Sequence, residues 1–198
     1  MTHLTRSFYT KPTRQLARDL LGCILVRRLN GQRLAGIIVE AEAYIGEDDL
    51  ACHARVGRTP RNAVMYGKPG LAYVYFTYGM HWMLNVVSEG EEFPAAVLIR
   101  ALEPAEGIDQ MMQHRARRCA LIDLCSGPAK LTQALRIDRA LNGVDLCNRQ
   151  GDLWIEAGDP PPARSIQRGP RIGLGDTPEP WLSKPWRFWM KGNPFVSK

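Results

Sequence analysis

The sequence predicts an α+β fold: a single domain over residues 1–198 in which helices pack around one antiparallel sheet. Three observations carry that prediction. Apolar runs come in pairs joined by short turns, the pattern of hairpins rather than of strand–helix–strand crossovers. Helical periodicity is confined to short segments flanking those pairs. Split in two, 198 residues would give domains small for independent cores, while a hydrophobic content of 45% is ample for one.

Pro12 to Leu21 reads as the first helix, with Leu16, Ala17, Leu20 and Leu21 on one apolar face and Gly22 placed to end it. Cys23 to Leu29 reads as a strand, Asn30-Gly31 as a two-residue turn, and Arg33 to Tyr44 as the returning strand. Glu47 to Lys68 breaks this regularity. It is a long, charged, irregular loop with Gly57 and Pro60 as breakers, and long loops inside compact domains are often functional. A second hairpin runs out over Leu71 to Tyr78, turns at Gly79 and returns over Trp82 to Ser88; a further strand spans Ala95 to Leu102. A helix is expected over about Ala105 to Arg118, and another at Ser126-Gly-Pro, with Ser126 as cap and Pro128 in the first turn. In the tail, Leu153 to Glu156, Arg171 to Leu174 and Arg187 to Met190 read as short strands between Pro- and Gly-rich loops.

Lys and Arg outnumber Asp and Glu by 26 to 20, a net charge of +6 that favours a polyanionic partner without naming one. The five cysteines are widely spaced and include no Cys-x-x-Cys pair, so neither a disulfide framework nor a zinc knuckle is expected. No apolar segment approaches the roughly 20 residues that span a bilayer, and the N-terminus lacks the apolar centre of a signal peptide. A cytoplasmic, nucleoid-associated protein with no membrane partner is expected. No Gly-rich phosphate loop, Ser/His/Asp spacing or His-x-x-x-His pair supports a nucleotide cofactor or zinc catalysis.

On the strand Ile37 to Ile45, a period of two puts Glu40, Glu42 and Tyr44 on one face and Ile37, Val39, Ala41, Ala43 and Ile45 on an apolar core face. Two carboxylates and a phenol entering a charged loop suit acid–base chemistry, although on the residues alone an exposed edge face is the simpler account. Tyr73, Tyr75 and Tyr78 crowd the second hairpin, with Tyr78 at its tip. Tyrosines in strands commonly rim a core. An aromatic tip beside an arginine-rich loop is also what a duplex wedge needs when a base leaves the stack. Arg55, Arg58, Arg61, Lys68, Arg100, Lys130, Arg171 and Lys191 recur among these aromatics and, with Thr59 and Ser126, point to phosphate contacts. Asn85 and Arg100, flanked by apolar residues, are either satisfied structural hydrogen bonders or site residues, and His53 stands open between surface and site.

Four motifs, in order and at compatible spacing, resemble the alkyladenine (3-methyladenine) DNA glycosylase family. They are Val39-Glu-Ala-Glu-Ala-Tyr-Ile-Gly-Glu-Asp with His53; Tyr73-Val-Tyr-Phe-Thr-Tyr-Gly-Met-His with Asn85; Val97-Leu-Ile-Arg-Ala-Leu-Glu-Pro; and Leu124-Cys-Ser-Gly-Pro-Ala-Lys-Leu. The likeness runs from about Leu16 to Val196, and Cys52 departs from it, standing where the family usually has Ala. The resemblance implies a curved sheet with a protruding hairpin that enters DNA. It implies Glu42 as the general base that activates water, Arg100 beside it, and Glu40 in support. Tyr44, His53, Tyr75 and Leu98 would form the base pocket, Asn85 would obstruct the amino group of normal guanine, and Tyr78 would intercalate. Arg58, Thr59, Arg61, Lys68, Ser126 and Lys130 would contact the DNA backbone.

The implied reaction is hydrolysis of the N-glycosidic bond of a purine flipped from double-stranded DNA, leaving an abasic site. The implied lesions are 3-methyladenine, 7-methylguanine, hypoxanthine and ethenoadenine. One carboxylate suffices for a cationic alkylated purine, because the leaving group is already activated and the charge to stabilise develops on the sugar. No lysine lies in the Glu42 to Tyr44 strand, so a monofunctional enzyme without lyase chemistry, cofactor or metal, acting as a monomer, is expected. Two other readings remain: a damaged-DNA binding module without catalysis, and a hydrolase of free nucleosides.

Overall fold

A computed structural model describes residues 2–115 and 119–197. Eight strands form one open sheet, and every strand pairing described is antiparallel. Along the sheet the order is β3 (Ala72–Thr77), β4 (His81–Val87), β5 (Ala95–Glu106), β2 (Gln32–Ile45), β1 (Ile24–Leu29) and β6 (Leu153–Glu156). The remaining two strands, β7 (Ile166–Gly169) and β8 (Arg187–Met190), pair with each other, and β8 also pairs with β2. Strand β2 is the spine. One of its edges carries β5 from Ala35 onward, while the other is shared by β1 up to Ile37 and β8 over Glu40 to Glu42.

The first hairpin closes through Asn30 and Gly31 at φ 51° and 78°, the left-handed pair whose twist matches a two-residue turn. Four short helices are described: α1 (Arg6–Tyr9), α2 (Thr13–Asp19), α3 (Ile108–His114) and α4 (Pro128–Ala134). Helix α2 buries Leu16 and Ala17, and Leu20 and Leu21 just beyond it are equally inaccessible, as its apolar face predicts. No helix among the described residues is long and apolar enough to cross a membrane.

Alternate residues of the central strands go to opposite faces. Val74, Val86, Val97 and Ile99 join a large cluster with Leu16, Met111 and Leu131 of the helices, whereas Tyr73, Val87 and Ala96 join Cys52, Ala54, Met65 and Tyr66 of the long loop. Helices therefore cover one face and the 47–68 segment covers the other. Each fully buried leucine in the helix-side cluster contributes about 1.5–3 kcal/mol relative to exposure.

Several expectations are corrected. The register of β2 against β5 steps from Ile38 opposite Leu102 to Glu40 opposite Ala101 and then Ala41 opposite Ile99, leaving Val39 and Arg100 without partners. This double bulge breaks the period of two. Ile38, not Ile37 or Val39, shares the helix-side core with Ala41 and Ala43. Strand β5 continues to Glu106, so α3 begins at Ile108 and not at Ala105; the expected end at Arg118 lies outside the described residues. Ser126 does not cap α4: Gly127 occupies that position and no side chain caps the helix. Arg171 to Leu174 forms a loop, and the tail strand lies earlier, at β7.

Candidate active site

The loop-side face of the sheet carries a cavity of about 620 Å³. Strand parity supplies one wall: Tyr75 from β3, Met83 and Asn85 from β4, Leu98 and Arg100 from β5, and Tyr44 from β2. The 47–68 segment supplies the other with Cys52, His53, Arg55, Thr59 and Arg61, and the loop after β7 closes it with Ile172, Gly173 and Leu174. Two single-turn 3-10 segments, His53–Val56 and Ala63–Tyr66, give that long loop its shape. Asn62 ties it together, donating to the carbonyls of His53 (3.0 Å) and Gly57 (2.9 Å).

The aromatic wall is fixed by contacts among its members. His53 and Tyr75 meet edge to face with centroids 4.3 Å apart, and Tyr73 lies 5.4 Å from Tyr75. Nδ1 of His53 is 2.9 Å from the Tyr73 hydroxyl. Burial, reinforced by Arg61 and Arg55, pushes the His53 pKa down to about 4, so the ring is neutral at physiological pH. Asn85 is buried and donates to the carbonyl of Tyr73, its register partner, at 3.2 Å.

Glu42 stands behind this wall with no exposed surface. Three groups among the described residues touch its carboxylate, and each belongs to a residue that lines the cavity. Ile172 N–H donates to Oε1 at 2.7 Å, the Tyr44 hydroxyl donates to Oε2 at 2.9 Å, and Arg100 Nη1 lies 3.3 Å from Oε1. Burial raises the Glu42 pKa above the ordinary carboxylate range; Arg100, the Ile172 amide and the Tyr44 hydroxyl oppose that rise, and Glu40 adds to it. The carboxylate thus lies next to a slot lined by flat rings.

Tyr78 lies at the hairpin tip, 74% exposed, with φ 52°. A bulky side chain in the left-handed region is strained, and such strain points to a role that requires the residue there. Thr59 and Arg61 also line the cavity, with the Arg61 guanidinium 5.6 Å from the Tyr75 ring centre. Ser126 and Lys130 line a neighbouring cavity of about 380 Å³ that shares Arg100 and Pro128 with the first. Arg58 and Lys68 line neither; Arg58 pairs with Glu92 at 2.9 Å.

Sequence reasoning missed the tail loop. Arg171, read as a phosphate contact, is buried: its guanidinium clamps Asp49 at 2.6 and 2.9 Å and lies 4.7 Å from the centre of the Tyr44 ring. Asp49 in turn accepts from the amides of Ile45 and Ala51, so one ion pair fastens the start of the long loop, the Tyr44 ring and the tail loop together. Ile172 contributes only a backbone N–H, for which a sequence carries no side-chain signal. No group of three His, Cys, Asp or Glu side chains placed to hold a metal ion occurs among the described residues.

The buried carboxylate behind an aromatic-walled slot, with an exposed tyrosine at a nearby hairpin tip, suits hydrolytic chemistry on a flat bound group. The chain belongs to the methylpurine-DNA glycosylase family, whose sequence profile matches residues 7–194. It is 52% identical over 198 residues to a protein of Methanocella arvoryzae named "Putative 3-methyladenine DNA glycosylase", covering 100% of this chain and 97% of that one. It is also 45% identical over 209 residues to the DNA-3-methyladenine glycosylase of Homo sapiens, covering 98% of this chain and 69% of the human protein.

Proposed function

We propose that this protein excises damaged purines from double-stranded DNA by hydrolysis, using Glu42 as general base and leaving an abasic site. The observation that carries the reading is the Glu42 carboxylate, buried against three groups that line an aromatic cavity. A flipped purine enters between Tyr44, His53 and Tyr75 with Leu98 at its side, and Tyr78 fills the space it leaves in the stack. Asn85, which lines the cavity and donates to the Tyr73 carbonyl, obstructs the exocyclic amino group of a normal guanine. Water at the junction of Tyr44, Arg100 and Ile172 lies beside the Glu42 carboxylate, which removes its proton as it attacks the anomeric carbon. The same negative charge stabilises the oxocarbenium character of the sugar.

The lesions that fit are cationic alkylated purines such as 3-methyladenine and 7-methylguanine, which leave without acid assistance. Hypoxanthine and ethenoadenine are neutral leaving groups, of the same flat shape. Thr59, Arg61, Ser126 and Lys130, which line the two cavities, contact the backbone, with Arg58 and Lys68 further out. The protein acts as one domain and as a monomer, without cofactor.

Single-turnover excision on labelled duplexes carrying one lesion tests this reading. Wild type should give alkali-dependent strand breaks, and Glu42→Gln should lose roughly a thousandfold in rate while retaining affinity for the damaged duplex, since a positioned base alone contributes about 10²–10⁴. Tight binding with no excision of alkylated or deaminated purines by wild type would leave a damage-binding module instead.

A further inference from the structure

Glu40 is a second buried carboxylate, two residues from Glu42, fully inaccessible and lining neither cavity. Its Oε1 accepts from Arg100 Nε (2.9 Å), Arg187 Nε (2.6 Å) and the Ser197 hydroxyl (2.9 Å), and its Oε2 accepts from Ser197 N–H (2.7 Å). Strand β5, strand β8 and the C-terminal segment thus converge on one side chain of β2. Four donors, two of them from arginines, hold Glu40 as an ion-paired anchor. The far end of Arg100 carries the consequence: Nη1 lies 3.3 Å from Glu42 Oε1, and Nη2 donates to the Ser197 hydroxyl at 3.3 Å.

A guanidinium is a rigid planar fork, so holding Nε and one terminal nitrogen fixes the direction of the other. Arg100 is skipped in the β2–β5 register, so the bulge re-aims its side chain, and the contacts with Glu40 and Ser197 fix where the guanidinium ends. We propose that Glu40, with Ser197 as the second point of attachment, is a positioning residue that keeps Arg100 Nη1 on the Glu42 carboxylate. The proposal rests on the reading of Glu42 as the base, and makes the C-terminal segment part of the machinery although it touches no reacting atom.

The sign of a titration separates positioning from simple charge proximity. Facing Glu42 are Glu40 and Tyr44 from β2, Arg100 from β5, Arg187 opposite it on β8, and Tyr75 from β3. Were Glu40 merely a nearby negative charge, its removal would lower the Glu42 pKa. Were it the anchor of Arg100, its removal would release the cation and raise that pKa.

The experiment follows the Glu42 carboxyl by NMR in protein labelled with ¹³C-glutamate, with Glu42→Gln identifying the resonance, in wild type, Glu40→Gln and Ser197→Ala. Single-turnover excision is measured across pH on the same proteins. In Glu40→Gln, the Glu42 midpoint and the acid limb of excision should both move up by about one unit, the effect of losing an opposite charge at close range. On the acid limb, excision at a fixed pH should fall about tenfold, the loss of deprotonated Glu42 that one unit implies, and Glu40→Asp should recover part of it. Ser197→Ala should move the midpoint in the same direction by less. Because Ser197→Ala leaves the carboxylate and the backbone donor in place, it decides the matter if Glu40→Gln does not fold. A midpoint that falls or stays put in the folded variants overturns the proposal. A rising midpoint in a protein whose wild type excises nothing would instead sink the glycosylase reading and leave the clamp standing.

Discussion

His53 combines a structural and a chemical consequence in one ring. Its pKa near 4 means that between about pH 4 and 6.5 the unfolded chain binds a proton that the folded chain does not. Stability contributed by this residue is therefore complete above 6.5 and is lost as pH falls towards 4. Glu42, whose pKa is raised, contributes a slope of opposite sign, so the informative quantity is the difference between wild type and His53→Gln. Urea unfolding at several pH values across that window should show wild type losing stability on acidification more steeply than the variant. Identical slopes would mean that the imidazole takes up its proton in the fold as it does in the unfolded chain. Within the proposed mechanism a neutral ring is the useful form, since an imidazolium would repel a cationic alkylated purine that must stack against it.

At the scale of elements, the hairpin β3–β4 holds Tyr78, the proposed wedge, exposed at its tip in a left-handed backbone conformation. Tyr78→Asn should relieve about 1 kcal/mol, the cost of a left-handed conformation that Asn tolerates better. Melting temperature should then hold or rise slightly, while affinity for a lesion-bearing duplex, read by fluorescence anisotropy, drops about tenfold or more for loss of a stacked aromatic. A fall in melting temperature with affinity intact would make Tyr78 a structural residue. This hairpin was legible from sequence because its signals are local: alternating apolar residues, three tyrosines and a glycine turn. So was the first hairpin, and with it the shared face of Glu42 and Tyr44. The double bulge was not legible, because a skipped residue on each of two strands leaves the hydrophobic pattern of each strand looking regular. Nor was the Asp49–Arg171 pair, whose members are 122 residues apart and look individually like surface charges. Ser126 failed as a cap because Gly127 takes that position, freeing the hydroxyl to accept from Lys130 at 3.1 Å.

For the whole molecule, a modest net charge of +6 has to supply the face that the proposed function sets against DNA. Part of the cationic charge is spent internally: Arg100 and Arg187 answer Glu40, Arg171 answers Asp49, and Arg33 answers Glu156 and Glu106. Around the cavity mouth, Arg61 donates to the Phe76 carbonyl and Arg55 to the Leu50 carbonyl, neutral acceptors that leave their charge uncompensated, whereas Lys130 and Arg58 have acidic partners. Surface pairs of the latter kind are worth about 0–1 kcal/mol and can be exchanged for phosphates at little cost. Two to four phosphate contacts are thus within reach, and each neutralised phosphate contributes a slope of about −0.9 to the dependence of log K on log salt. Affinity for a damaged duplex should fall by roughly tenfold to 150-fold between 50 and 200 mM salt. Anisotropy titrations across that range measure it directly, and Arg61→Gln should make the slope shallower by about one. A slope near zero would contradict a duplex-binding face and favour hydrolysis of free nucleosides, for which the same cavity and carboxylate would serve without any phosphate contact.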